Sequence, residues 1–91
     1  MLRFEWDVNK AHINKNKHGV SFEEAATVFG DPLSLTILDD AHSDQEERLV
    51  TLGRTSTDRM VVVVHLEIDE ETIRLVSARP ATAREKKDYE R

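Results

Sequence analysis

The sequence predicts an α+β domain, and three features carry that expectation. Helix signals crowd the first third of the chain, the apolar period changes from helical to alternating at residue 33, and a capping signal near the end opens one more helix. Arg3 to Trp6 alternates weakly and reads as a short N-terminal strand. Asp7 is a good N-cap, and Val8, Ala11 and His12 fall on one helical face, so a first helix is expected over about residues 8–17. Gly19 is placed to close it in the left-handed conformation, with Lys17 and His18 in the last turn, where cations suit the negative end of the dipole. Ser21-Phe22-Glu23-Glu24 then reads as a capping box, with Val20 before it as a staple onto Ala25. The second helix should bury Phe22, Ala25, Ala26 and Phe29 until Gly30-Asp31-Pro32 stops it, completing a helical hairpin.

From residue 33 four β-branched segments follow, at Leu33–Leu38, Arg48–Gly53, Met60–Ile68 and Thr72–Arg79, separated by polar turns and one longer loop over Ala41–Glu47. They read as a four-stranded antiparallel sheet with the hairpin on one face. Thr82-Ala-Arg-Glu85 is a second capping box, opening a C-terminal helix over residues 83–91. No repeat or linker interrupts the order, so residues 1–91 read as a single domain.

At 91 residues, about 60 to 65% of the unfolded surface can be buried, which argues against a deep cavity. There is no cysteine, hence no disulfide framework and no thiolate metal site. The longest apolar run, Met60–Val64, is far short of a membrane span, and MLRFEWD has no signal-peptide core, so a cytoplasmic protein without a membrane partner is expected. The net charge of −5 is uneven: residues 1–20 carry +2, residues 21–47 carry −8 with no basic side chain, and residues 48–91 carry +1. Nucleic acid would have to be met by local basic clusters, while the acidic middle suits a basic protein partner or simple solubility. The histidines at 12, 18, 42 and 65 have neither the i, i+4 pairing nor the cysteine partners of a zinc site, so no metal and no cofactor are expected.

The sheet divides chemistry between two faces. On the Met60–Ile68 strand, His65 and Glu67 share a face and alternate with Val64 and Leu66, which read as the packed set. On the last strand Ser77 and Arg79 share a face, close to the helix that carries Tyr89. Lys17 and His18 keep two readings, dipole compensation or a grip on phosphate at the helix joint.

Many of these pieces together carry a resemblance. Phe4-Glu5-Trp6-Asp7, Lys10-Ala11, Asn14, Lys17-His18-Gly19-Val20-Ser21-Phe22-Glu23-Glu24-Ala25, Val28-Phe29, Asp31-Pro32, Glu47-Arg48, Ile73-Arg74, Ser77-Ala78-Arg79 and Ala81-Thr82 resemble the BrnT family of ribonuclease toxins over essentially the whole chain. The resemblance implies a RelE-like α+β endoribonuclease, metal-independent, from a bacterial type II toxin-antitoxin pair. It also implies a BrnA-type ribbon-helix-helix antitoxin as partner, through which alone the pair touches DNA and represses its promoter. RelE-like toxins are commonly basic and this chain is acidic, which counts against ribosome-dependent cleavage more than against cleavage of free RNA.

Metal-free RNA cleavage needs a base for the 2′-hydroxyl, cations on the phosphate and an acid for the leaving oxygen. Sheet parity and residue chemistry offer His65 or Glu67 as base, Arg79 and Tyr89 as the other catalytic groups, and Lys17, His18, Arg48, Arg54 and Ser77 on the substrate. His18 is a second source of the proton. A catalytically inert binding module, acting only as co-repressor with a DNA-binding partner, would share the same core and caps.

Overall fold

A computed structural model of the chain describes residues 1–39 and 47–91; Asp40, His42 and Glu46, and most of the loop expected over Ala41–Glu47, lie outside the described residues. The order is β1 (Arg3–Glu5), α1 (Val8–His18), α2 (Phe22–Ala26) running into a 3-10 turn at Thr27–Gly30, β2 (Leu35–Leu38), β3 (Leu49–Arg54), β4 (Met60–Glu67), β5 (Thr72–Pro80) and α3 (Ala83–Tyr89). The α+β class holds, with three helices and one sheet among the described residues.

The sheet differs from expectation. It has five strands in the order β1-β5-β4-β3-β2, and it is mixed rather than antiparallel, because β1 lies parallel to β5 with Arg3 opposite Thr72 and Glu5 opposite Arg74. A three-residue strand with weak alternation carries no local sign of a partner almost seventy residues away. β5 also bulges: Val64 faces Ser77 but His65 faces Leu75, so Val76 is the extra residue. The bulge lets Ile73 and Leu75 on one side of it, and Ala78 on the other, all reach the core.

That core joins Val20, Phe22, Ala25 and Val28 of the helical layer to Val61, Val63, Ile73, Leu75 and Ala78 of the sheet. Trp6 meets Phe22 edge-on at 5.9 Å between centroids, and Phe4 meets Phe29 at 5.4 Å. Gly53 lies beneath the 3-10 turn, where a Cβ would fall 3.2 Å from that of Val28 and 3.1 Å from that of Ser34.

Three N-caps act where the sequence places them: the side chains of Asp7, Ser21 and Thr82 accept from the backbone N–H of Lys10, Glu24 and Glu85. Gly19 closes α1 at φ 71°. Thr82 and Glu85 form the full capping box. The first box is only half made. The Glu24 carboxylate turns instead to Arg59, which donates from Nε at 2.9 Å and from Nη2 at 2.6 Å, and Thr55 and Thr57 donate to it as well. These bonds, led by that from Arg59, hold the Glu24 carboxyl at about 2. Arg59 Nη2 also donates to the Gly19 carbonyl, so the β3–β4 turn is tied to the end of α1.

Asn14 ties the layers a second time. Only 6% exposed, its Nδ2 donates to the carbonyls of Val20 and Ala78, and its Oδ1 accepts from the Ala78 N–H. Beyond residue 74, β5 has no β1 beside it, and one side-chain amide stands in for the missing strand.

Candidate active site

Among the described residues the sheet has a face covered by α1 and α2 and an open face crossed only near one end by α3. Thr51, Val61, Val63 and His65 point to the helices, whereas Val50, Leu52, Arg54, Val62, Val64 and Leu66 point the other way. This corrects the expected parity of β4. Val64 and Leu66 lie on the open face, and His65 belongs to the core.

His65 is 2% exposed. Phe29 meets its ring edge-on at 4.8 Å, and Nε2 shares a 2.7 Å hydrogen bond with Thr51 Oγ1, which in turn shares one of 2.8 Å with Thr36 Oγ1. Burial pushes its pKa down to about 4, so the ring is neutral at neutral pH. A side chain so enclosed reaches no phosphate. Glu67, on the same side of β4, is exposed beyond the helical layer at the far end of the strand.

The open face collects arginines. Arg79 and Ser77 lie there opposite Val62 and Val64, Arg54 opposite Met60, and Arg74 opposite Leu66. Arg79 and Arg54 both reach α3, which fixes the side that helix covers. Arg79 donates from Nη1 at 2.8 Å and from Nη2 at 2.9 Å to the two carboxylate oxygens of Glu85, a bidentate fork that holds the Glu85 carboxyl at about 2. One helical turn on, Tyr89 lies under the Arg54 guanidinium, 5.8 Å from the ring centroid.

Asp31 fixes that end of α3. Its Oδ2 accepts from the Tyr89 hydroxyl at 2.7 Å and from the Arg54 N–H at 2.9 Å, and its Oδ1 accepts from the Leu33 N–H. Burial opposes its charge, but those donors hold its pKa below the ordinary value. The bond to Asp31, with burial, raises the pKa of Tyr89, so the phenol keeps its proton. Lys86 lines the same groove as Arg54 and Tyr89.

The nine expected residues therefore separate. Arg54, Arg79 and Tyr89 come together around α3, with Ser77 two residues from Arg79 on the same strand face. Arg48 lines a groove with Leu66 and Arg74, about 13 Å along β4 from the row of Arg79, and Glu67 shares that end. Lys17 is exposed and His18 half-buried at the joint on the helical side. Two residues at the α3 end escape a site reading from sequence: Glu85 reads there only as a cap, and Asp31 only as a helix stop. The signal for Glu85 was its place three residues after Thr82, which folds it back over Arg79.

Residues 6–85 match the family described as "Ribonuclease toxin, BrnT, of type II toxin-antitoxin system". No curated protein matches the chain in sequence. Among solved structures the chain is similar to the ribonuclease toxin BrnT of Brucella abortus, with a TM-score of 0.65 and 20% identity, over 90% of this chain and 99% of that one. At that identity the likeness speaks for the fold. The family match runs from the start of the helical layer to Glu85 on α3, and on that extent the chain belongs to the BrnT family of ribonuclease toxins of type II toxin-antitoxin systems.

Proposed function

We propose that the chain is a metal-independent endoribonuclease of RelE-like fold that stops translation in the cytoplasm by cutting RNA, and that a BrnA-type ribbon-helix-helix antitoxin silences it. The observation that carries the reading is the cluster of Arg54, Arg79 and Tyr89 between α3 and the open face. Arginine forks match phosphate oxygens, and a phenol that keeps its proton can give it to a departing oxygen. In the cleavage step a base takes the 2′-hydroxyl proton, the O2′–P bond forms, the P–O5′ bond breaks, and the acid protonates O5′. Arg79 and Arg54 hold the phosphate, and Tyr89 is the acid.

The base must stand at the same end, which favours Glu85 over Glu67 and over the enclosed His65. A phosphate entering the Arg79 fork would release the Glu85 carboxylate beside the substrate. Metal independence follows from this assignment, in which arginines rather than a cation meet the charge of the phosphate. RNA incubated with the purified chain in EDTA should be cut; RNA left whole in EDTA and cut once magnesium is added would overturn this.

The alternative, an inert module acting as co-repressor, draws on one observation. Arg54, Arg74 and Arg79 are each already paired, with Asp58, Glu5 and Glu85. Under that reading no addition restores cleavage, and promoter binding by the antitoxin still tightens when the chain is present.

A further inference from the structure

β1 and β2 are the two edges of the sheet, and among the described residues only one is protected. β1 has three residues, two of them charged, and Glu5 is paired with Arg74. Short, charged strands are how natural sheets avoid pairing with other chains. β2 has four residues, Leu-Thr-Ile-Leu, with no charge and no proline, and every one is exposed: Leu35 by 45%, Ile37 by 67% and Leu38 by 44%.

The ladder says which groups face outward. Asp39 N–H donates to the Arg48 carbonyl, so in this register Ile37 and Leu35 also bond inward to β3. The N–H and C=O of Thr36 and Leu38 therefore point away from the sheet. Two side-chain rows start at this edge and run across the open face: Leu35, Leu52, Val62, Arg79, and Ile37, Val50, Val64, Ser77. A strand added at β2 would extend both rows and lie about 19 Å from the Arg79 strand.

Charge selects the occupant. The segment from 21 to 47 that contains β2 carries eight acidic and no basic side chains, so a second copy of this chain would set like against like. We infer that the edge of β2 is the seam at which an extended segment of the antitoxin, apolar in alternation and flanked by Lys or Arg, joins the sheet as a sixth strand. This rests on the toxin-antitoxin reading and adds the surface that the partner uses.

The test uses the full chain and the ribbon-helix-helix antitoxin encoded beside it. Hydrogen exchange on the complex should show new protection at the Thr36 and Leu38 amides. Leu38→Pro removes an outward N–H that β3 does not use, and Ile37→Lys places a cation in the row; each should weaken antitoxin binding by about a hundredfold with melting and RNA cleavage unchanged. Ile13→Lys, an equally exposed apolar site on α1, should bind as wild type. Tight binding without protection at 36 and 38, and unaffected by both edge variants, would overturn the seam and leave the toxin-antitoxin reading standing. Sedimentation showing that the chain alone dimerises, and that Ile37→Lys abolishes this, would overturn the choice of occupant. Failure of the wild-type chain to bind the antitoxin at all would overturn both.

Discussion

The two faces of the sheet are built from the same apolar alphabet and do opposite work. On the helical side Val61, Val63, His65 and Leu75 are enclosed, and even a histidine becomes a packing residue, its ring wedged between Phe29 and Thr51. On the other side the same strands leave Val50, Leu52 and Val64 partly exposed between arginines, and among the described residues only one seven-residue helix crosses them. The difference teaches that on this sheet accessibility follows the covering layer rather than the residue type. A histidine beneath helices is enclosed, while an arginine beside valines keeps its guanidinium within reach of solvent.

The comparison breaks most visibly if chemistry is removed from the open face. Tyr89→Phe keeps the ring beneath Arg54 and removes the proton; single-turnover RNA cleavage should fall by ~10²- to 10⁴-fold, the range for a lost general acid. Activity unchanged in this variant would move the acid elsewhere. Leu75→Ala is the counterpart on the covered face, expected to cost about 2 to 5 kcal/mol in urea unfolding with cleavage per folded molecule retained.

His65 sharpens the contrast through pH. Its folded pKa of about 4 lies below the unfolded value near 6.5, so the unfolded chain binds the proton first. Its neutral burial costs nothing above pH 6.5, and stability should drop as pH falls from 6.5 to 4, by about 3 kcal/mol at most. Glu24 and Glu85, both held near 2, add a second loss only below about pH 4.5. Chemical denaturation of His65→Gln should show the upper slope gone and the lower one intact, with cleavage preserved. If cleavage vanished while the fold remained, His65 would regain the role of base.

Arg79→Lys keeps charge and loses the fork, so cleavage should weaken by about 10- to 100-fold while the melting temperature hardly moves, because the Arg79 side chain is 42% exposed. A large loss of stability instead would make the Arg79–Glu85 pair a strut. The smallest effect is expected for Glu24→Gln, on the helical side: about 1 kcal/mol, read by calorimetry, with cleavage untouched. A tenfold change in cleavage there would mean that the helix joint, with Lys17 and His18, takes part.

Much of this architecture was legible because its causes are local. Asp7, Ser21 and Thr82 cap within three residues, and Gly19 closes a helix through its own φ. What stayed hidden depends on partners distant in sequence. Glu24 has a local role to offer Ser21 and is taken by Arg59, 35 residues on. Either set on β4, Val61 and Val63 or Val62, Val64 and Leu66, is apolar enough to be the buried one, so alternation alone could not say which side meets the helices. That ambiguity placed His65 on the wrong face. Ser77 and Arg79 read as sharing a face and do share one, because the bulge at Val76 lies before them and leaves their mutual parity intact.

The parallel pairing of β1 with β5 also sets a timetable for synthesis. β1 finds its partner only when Thr72 to Arg74 has emerged, and the Asn14 amide waits for Ala78, 64 residues later. Until then α1, at 11 residues, is too short to persist by itself in water. Such long-range closure slows folding and holds it back until β5 has been made. A nascent chain therefore holds caps and turns but no finished sheet, and the arginines of the open face are gathered under α3 only once Tyr89 has been added.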